Sequence, residues 1–253
     1  MASALKKIAR NFLRKFGLEP VRAGDLTKVY HPPHAPSHDP KELEHLASLG
    51  IPVAGMSVLE VGAGVGDHAL FYRERGCVMT LTDAWEENLT LLRRMFPDQK
   101  VCKLDLNHPG YLEGAPFDVV HCYGVLHHMQ NPGGALEYLS GVTRRMLFLA
   151  MNVSFGDGDA MNPVDEVQGN AAPANSRPGC RPTRVWVFKR LQQHFQHVYL
   201  PKTQPNHREY PVDWTAPEKH AAACPKAVFI ASRQPLANEM LVPFLVDRQT
   251  RPA

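Results

Sequence analysis

The chain of 253 residues has no apolar run approaching the ~20 residues of a membrane-spanning helix. That excludes an integral helical membrane protein. It has no CxxC pair, and its five cysteines (Cys77, Cys102, Cys122, Cys180 and Cys224) are odd in number and scattered. A disulfide scaffold and a structural zinc site are therefore disfavoured, and a reduced, cytoplasmic setting is expected. Net charge is only +3, too weak to mark a nucleic-acid surface without a basic cluster. No segment repeats. What is present is ordinary for a soluble globular protein: 44% hydrophobic and 21% charged residues, in a chain long enough to bury a full core.

The one marked basic cluster is N-terminal. In "MASALKKIARNFLRKFGL", Leu5, Ile8, Ala9, Phe12, Leu13 and Phe16 share a helical face, and no acid occurs before Glu19. Such a helix packs on the main domain, lies on an anionic membrane surface as a peripheral contact, or is a transit peptide. "YHPPHAPSHDP" is too rich in proline for a helix. Its histidines His31, His34 and His38 lack partner cysteines, so no metal is assigned to them. "DPKELEHLASLG" then reads as a helix with Asp39 as cap and Pro40 in the first turn.

From residue 56, short apolar strands alternate with amphipathic helices. "MSVLEVG", "CVMTLTDA", "KVCKLDL", "FDVVHCYG" and "RMLFLAMNV" are strands. "DHALFYRERG", "WEENLTLLRRMF" and "PGGALEYLSGVT" are helices. This alternation predicts a mostly parallel sheet with helices on both faces. Residues 154–182 form an insert rich in Gly, Asn, Pro and Ala, a possible lid; loops of that length are functional or mobile. "TRVWVFKRLQQHF" reads as a helix, and "HVYLP" and "AVFIASR" as strands around a long loop, 201–226. A short helix is expected in the tail, around "LANEMLVPFL". The organisation is thus an N-terminal helix and cap (1–50), a core (51–153), the insert (154–182), the end of the core (183–235) and a tail (236–253).

The strand-to-helix turn "VLEVGAGVGDHAL" carries Gly62, Gly64 and Gly66. A dinucleotide fingerprint would place its third glycine where Asp67 stands, and the Gly-Lys-Ser/Thr of a phosphate loop is absent. Glu60, two residues before the first glycine, would repel a phosphate. It suits a cation instead: an ammonium or a sulfonium.

This stretch resembles motif I of class I S-adenosylmethionine-dependent methyltransferases. The resemblance extends to Asp83 at the end of the second strand, Asp105 in "LDLN", and "FDVVHCYGVLHHMQNP" at the fourth strand. It covers residues 52–153 and, more weakly, 183–233. It implies a Rossmann-like sheet of seven mostly parallel strands with the last antiparallel, and S-adenosylmethionine as cofactor. It implies cofactor contacts from Glu60, Gly62, Ala63, Gly64 and Gly66 at the turn. Asp83 would take the ribose hydroxyls, with Ala84 and Trp85 flanking, and Asp105 and Leu106 the adenine edge. Cys122 and Tyr123 would line the cofactor. "YLPKTQPNHREYPVDW" resembles methyltransferases of bacterial glycan and natural-product chemistry.

Methyl transfer to oxygen requires in-line positioning and often a base. His127 and His128 follow the fourth strand, at the sheet edge where open α/β folds bind ligands. They are the candidate catalytic residues, with His127 facing the substrate; packing against adenosine or capping the next helix is the alternative. Tyr123, His207, Tyr210 and Trp214 are candidate substrate contacts, or anchors of their loops. The expected reaction is O-methylation of a small or glycan-type molecule. A transfer-RNA-modifying enzyme using the same cofactor family and a non-catalytic cofactor-binding protein remain alternatives. A broad basic surface would favour the former.

Overall fold

The structure is a computed structural model and describes residues 39–165, 178–220 and 224–252. The N-terminal helix expectation, the proline and histidine segment and the middle of the 154–182 insert lie outside the described residues.

Five parallel strands form the centre: β1 (Ser57–Val61), β2 (Val78–Asp83), β3 (Lys100–Lys103), β4 (Phe117–Tyr123) and β5 (Thr143–Asn152). A two-stranded ribbon follows, β6 (Pro163–Asp165) with β7 (Pro178–Cys180). The sheet is completed by β8 (His197–Pro201), β9 (Lys226–Ser232) and β10 (Leu241–Val242). Its order is β10-β8-β9-β5-β4-β1-β2-β3. β9 runs antiparallel to both β5 and β8. The order reverses between β1 and β4, which opens a crevice at their carboxyl ends.

Two expectations are corrected. The tail forms β10 rather than a helix, pairing Leu241 and Val242 with Pro201 and Leu200 as an eighth strand. Backbone groups left open on β8 are paired this way, which outweighs the weak helical periodicity. The insert is not structureless at its ends either. β6 and β7 pair with each other, and Cys180 is fully buried, its thiol directed at the Leu126 carbonyl.

Among the described residues five α-helices cover the sheet: α1 (Asp39–Ser48), α2 (Ala69–Arg73), α3 (Glu86–Met95), α4 (Pro132–Gly141) and α5 (Arg184–His194). Side chains alternate between faces along a strand, so the sheet separates two cores. Leu59, Val120, Cys122, Leu147 and Phe229 meet α4 and α5 on one face. Val58, Val119, Phe148 and Ile230 meet α1 and α2 on the other. Each fully buried large aliphatic adds ~2 kcal/mol from desolvation alone. α4 begins where Asn131 accepts from Gly134 N, with Pro132 in the first turn; α5 begins where Thr183 accepts from Trp186 N.

α1 buries Glu42, His45 and Leu46, and Leu49 just past its end continues the i, i+3, i+4, i+7 spacing of one helix face. Half of that stripe is polar. His45 Nε2 bonds the Thr203 carbonyl and hydroxyl, tying α1 to the loop after β8. Burial holds the His45 imidazole down to about 4, so it stays neutral. No described helix is long and apolar enough to cross a membrane.

Candidate active site

The three glycines of the β1–α2 turn all have positive φ, which an L side chain adopts only with strain. They differ in what surrounds them. A Cβ on Gly62 would fall 2.3 Å from Val125 Cγ2, and one on Gly66 would fall 2.5 Å from Phe96 Cε2. Those two let neighbouring segments close onto the turn. A Cβ on Gly64 would meet nothing within 4 Å, so its bare backbone faces open space. Ala63 N donates to the Thr82 carbonyl and pins the turn to β2.

Asp83 ends β2 beside this opening. Its Oδ2 accepts from Gly64 N (3.0 Å) and its Oδ1 from Trp85 N (2.9 Å). Each oxygen keeps a second lone pair, so the carboxylate is fixed yet able to accept from a diol. Asp105 lies two residues beyond the end of β3, and its Oδ1 accepts from Asn107 N. Glu60 is buried on β1, and its Oε2 has no hydrogen-bond partner among the described residues. Burial pushes this carboxyl up to about 7, with His68 nearby working in the opposite direction. An ammonium would supply the missing partner. An exposed glycine backbone, a held diol acceptor and an orphaned buried carboxyl together fit the ribose and amino-acid halves of S-adenosylmethionine.

Other expected residues fall differently. Cys122 points into the α4–α5 core with its thiol pushed up to about 12, so only its backbone can reach a ligand. Leu106 is likewise a core side chain. Ala84 and Trp85 are half-buried at the start of α3, beside Asp83. His127 is buried, and its Nδ1 accepts from Asn152 N at 3.4 Å. That contact directs one ring nitrogen at the β5 backbone. His128 is half-buried, its ring centroid 4.1 Å from that of His127.

Tyr210 is fully buried and its hydroxyl donates to Glu42 Oε1. Trp214 donates its indole N–H to Gln249 Oε1 (2.8 Å) under the Arg184 guanidinium. His207 Nδ1 accepts from Glu209 N. Tyr210 and Trp214 anchor the long loop, their polar atoms bonding within the fold.

The structure assembles a polar nest that sequence inspection misses. Glu60 and His121 are register partners on β1 and β4, so they share a face, and Tyr123 lies two residues beyond His121. His121 stacks on Tyr123 at 4.1 Å, and its Nδ1 is hydrogen-bonded to the Tyr72 hydroxyl. Burial holds His121 well below the ordinary histidine value. His68 closes the glycine turn with its ring centroid 4.9 Å from that of His121. His68 Nε2 lies 3.0 Å from Glu42 Oε2. Lys226, at the start of β9, reaches Glu209 at 3.1 Å and Glu42 at 3.8 Å. Among the described residues no group of three or more His, Cys, Asp or Glu is placed to hold a metal ion.

Residues 59–149 match the methyltransferase domain family. No curated protein matches the chain. Among solved structures, the N-terminal domain of EvdMO1, crystallised with SAH and D-fucose, superposes with a TM-score of 0.56 at 17% identity, covering 79% of this chain and 85% of that one. An S-adenosylmethionine-dependent methyltransferase from Mesorhizobium loti gives 0.55 at 15% identity, covering 78% and 98%. The 1,6-didemethyltoxoflavin-N1-methyltransferase of Burkholderia thailandensis, with its substrate and S-adenosylhomocysteine bound, gives 0.51 at 21% identity, covering 78% of each chain. These likenesses show the shared fold. The family match spans the glycine turn and the central strands, so residues 59–149 are a methyltransferase domain.

Proposed function

We propose that this enzyme methylates a hydroxyl group of a small, glycan-like molecule, with His68 as the base and Glu42 as the group that holds it. The carrying observation is the 3.0 Å approach of Glu42 Oε2 to His68 Nε2, at the turn that also forms the cofactor cradle. A carboxylate behind an imidazole fixes the ring and stabilises its protonated form.

When bound, the cofactor supplies a methyl group on a positively charged sulfur, already electrophilic and needing only an aligned nucleophile. Aliphatic hydroxyls are poor nucleophiles until the proton begins to leave, and His68 accepts that proton. The positive charge gained by the imidazole then rests against the Glu42 carboxylate. The Tyr123 hydroxyl, buried with no partner among the described residues, offers a further hydrogen bond to the reacting groups. Burial raises its phenol far out of the physiological range, so it acts as a neutral group.

A small-molecule acceptor is supported by the structural neighbours. One was crystallised with D-fucose and another with 1,6-didemethyltoxoflavin. The test follows transfer of labelled methyl from S-adenosylmethionine to a panel of hexoses, hexose phosphates, phenols and catechols, with product methyl positions read by NMR. O-methyl products, with kcat down ~10²-fold or more in His68→Asn and S-adenosylhomocysteine affinity retained, are expected. Methyl on nitrogen or carbon, or unchanged kcat in His68→Asn, would sink the reading.

A further inference from the structure

The loop between β8 and β9 encloses a second recess that the cofactor cradle does not use. It has a volume of about 200 Å³, with apolar walls from Pro211, Val212 and Ala216. Arg208, Lys219, His220 and Arg251 also line it, against a single acid, Asp213. That acid already has partners: Asp213 Oδ1 accepts from Thr215 N and Oγ1, and its Oδ2 lies 3.8 Å from Arg248. Arg251 donates to the Pro205 and Tyr210 carbonyls, which orient the guanidinium without neutralising it. His220 Nε2 is buried with no hydrogen-bond partner among the described residues. Burial lowers the His220 imidazole, and the Arg251 cation lowers it further, with Glu209 working in the opposite direction.

The recess lies on the reactive edge of the sheet. β9 leaves the loop at Lys226, whose register partner is Asn152 at the carboxyl end of β5. Tyr210 lines the recess and donates to Glu42, the carboxylate that faces His68. Tyr210 and Glu42 therefore connect the recess to the proposed base.

We infer that this recess binds an anionic group, a phosphate or a carboxylate, carried by the methyl acceptor at a distance from the hydroxyl that reacts. The inference rests on the small-molecule reading above and specifies it further: the acceptor is a charged one, such as a sugar phosphate or a sugar acid. An arginine held by backbone carbonyls presents its remaining N–H groups in a fixed fork, the geometry that pairs with planar or tetrahedral oxyanions. His220 supplies one more contact, and Lys219 at the rim supplies charge. The apolar walls lower the local dielectric and strengthen these contacts.

The test needs no acceptor. Inorganic phosphate and acetate are titrated into the full chain at constant ionic strength, with sodium chloride as balance, and the His220 ring resonances are followed by NMR. Saturable phosphate binding that shifts His220 is expected, weakened about tenfold or more in Arg251→Met. Arg251 also supports the loop backbone, so Lys219→Met, an exposed side chain, is the second variant; it should weaken phosphate while leaving S-adenosylhomocysteine affinity unchanged. A His220 response that chloride reproduces, the absence of any saturable shift, or equal phosphate affinity in Lys219→Met and wild type would overturn the anion site. None of those results touches the assignment of His68, and an inactive role for His68 would leave phosphate binding intact, so the two readings fail separately.

Discussion

Glu42 on α1 lies 3.0 Å from His68 at the end of the glycine turn, and its other oxygen accepts from the Tyr210 hydroxyl. One buried carboxylate thus joins a helix that precedes the sheet, the cofactor turn and the long loop before β9. Removing its charge leaves Lys226 and His68 facing a neutral amide in a buried setting. Glu42→Gln is expected to lower unfolding free energy by about 3 kcal/mol, the usual cost of breaking a buried charge pair. Urea unfolding read by fluorescence checks it. A midpoint equal to wild type would show that the nest contributes no stability.

Asp83 holds the turn and faces the opening at once, so its loss acts on binding. Saturating S-adenosylhomocysteine, at ~100 times its dissociation constant, adds ~2.7 kcal/mol to wild type. That is a melting shift of roughly 5–10 °C for a chain of this size. Asp83→Ala should abolish the shift, and NAD should produce none in either protein. A shift with NAD would point to a different nucleotide.

Glu60 makes stability and cofactor affinity depend on pH. Its folded value, about 7, lies above the ordinary carboxyl value of 4.5. Below 4.5 both states are protonated and the burial carries no penalty. As pH rises from there toward 7 the unfolded chain ionises first, so stability falls by a total on the order of 3 kcal/mol and then levels off. Glu60→Gln should flatten that slope. A cationic ligand favours the ionised carboxylate, so wild-type affinity for S-adenosylhomocysteine should fall as pH drops below about 7, and Glu60→Gln should lose this dependence. Calorimetric titrations at several pH values measure it; identical slopes in the two proteins would remove Glu60 from the cofactor site.

Gly64 and Gly66 predict opposite balances of stability and binding. Gly66→Ala drives a methyl group into Phe96 and should destabilise by several kcal/mol, given the added cost of φ +87°. Gly64→Ala meets no atom and should cost only ~1 kcal/mol of backbone strain while blocking the cofactor. Paired melts with and without S-adenosylhomocysteine separate the two. A ligand shift retained in Gly64→Ala would mean that its backbone does not line the cofactor.

His127 serves the backbone of β5. His127→Ala leaves Asn152 N without its partner and should cost about 1–2 kcal/mol. His127→Ala should keep most of kcat, whereas His68→Asn should lose it ~10²-fold. A comparable loss in His127→Ala would return the base to the fourth-strand histidine.

The alternation of strands and helices from 56 to 153 is written into period-two and period-3.6 patterns, and the structure follows it. The strand in the tail is not legible in sequence because Leu241 and Val242 are too few to show a strand period; only the open edge of β8 makes them one. Within the site, the cofactor half was legible, since a glycine turn and an acid at a strand end are local features. The nest was not. Glu42 stands in "DPKELEHLAS" among charges that look like a solvated face, and His68 looks like an ordinary helix start. Lys226 opens a strand where a lysine would usually be exposed.

Local order along the chain therefore determined the sheet, its cofactor turn and the acid that closes β2, because those depend on residues close in sequence. Tertiary structure alone decided which polar groups become buried together. Glu42, His68, His121, Tyr210 and Lys226 come from α1, the glycine turn, β4, the long loop and β9. Their chemistry exists only once packing has withdrawn them from water, where a carboxylate must find an imidazole, a phenol or an ammonium to remain inside.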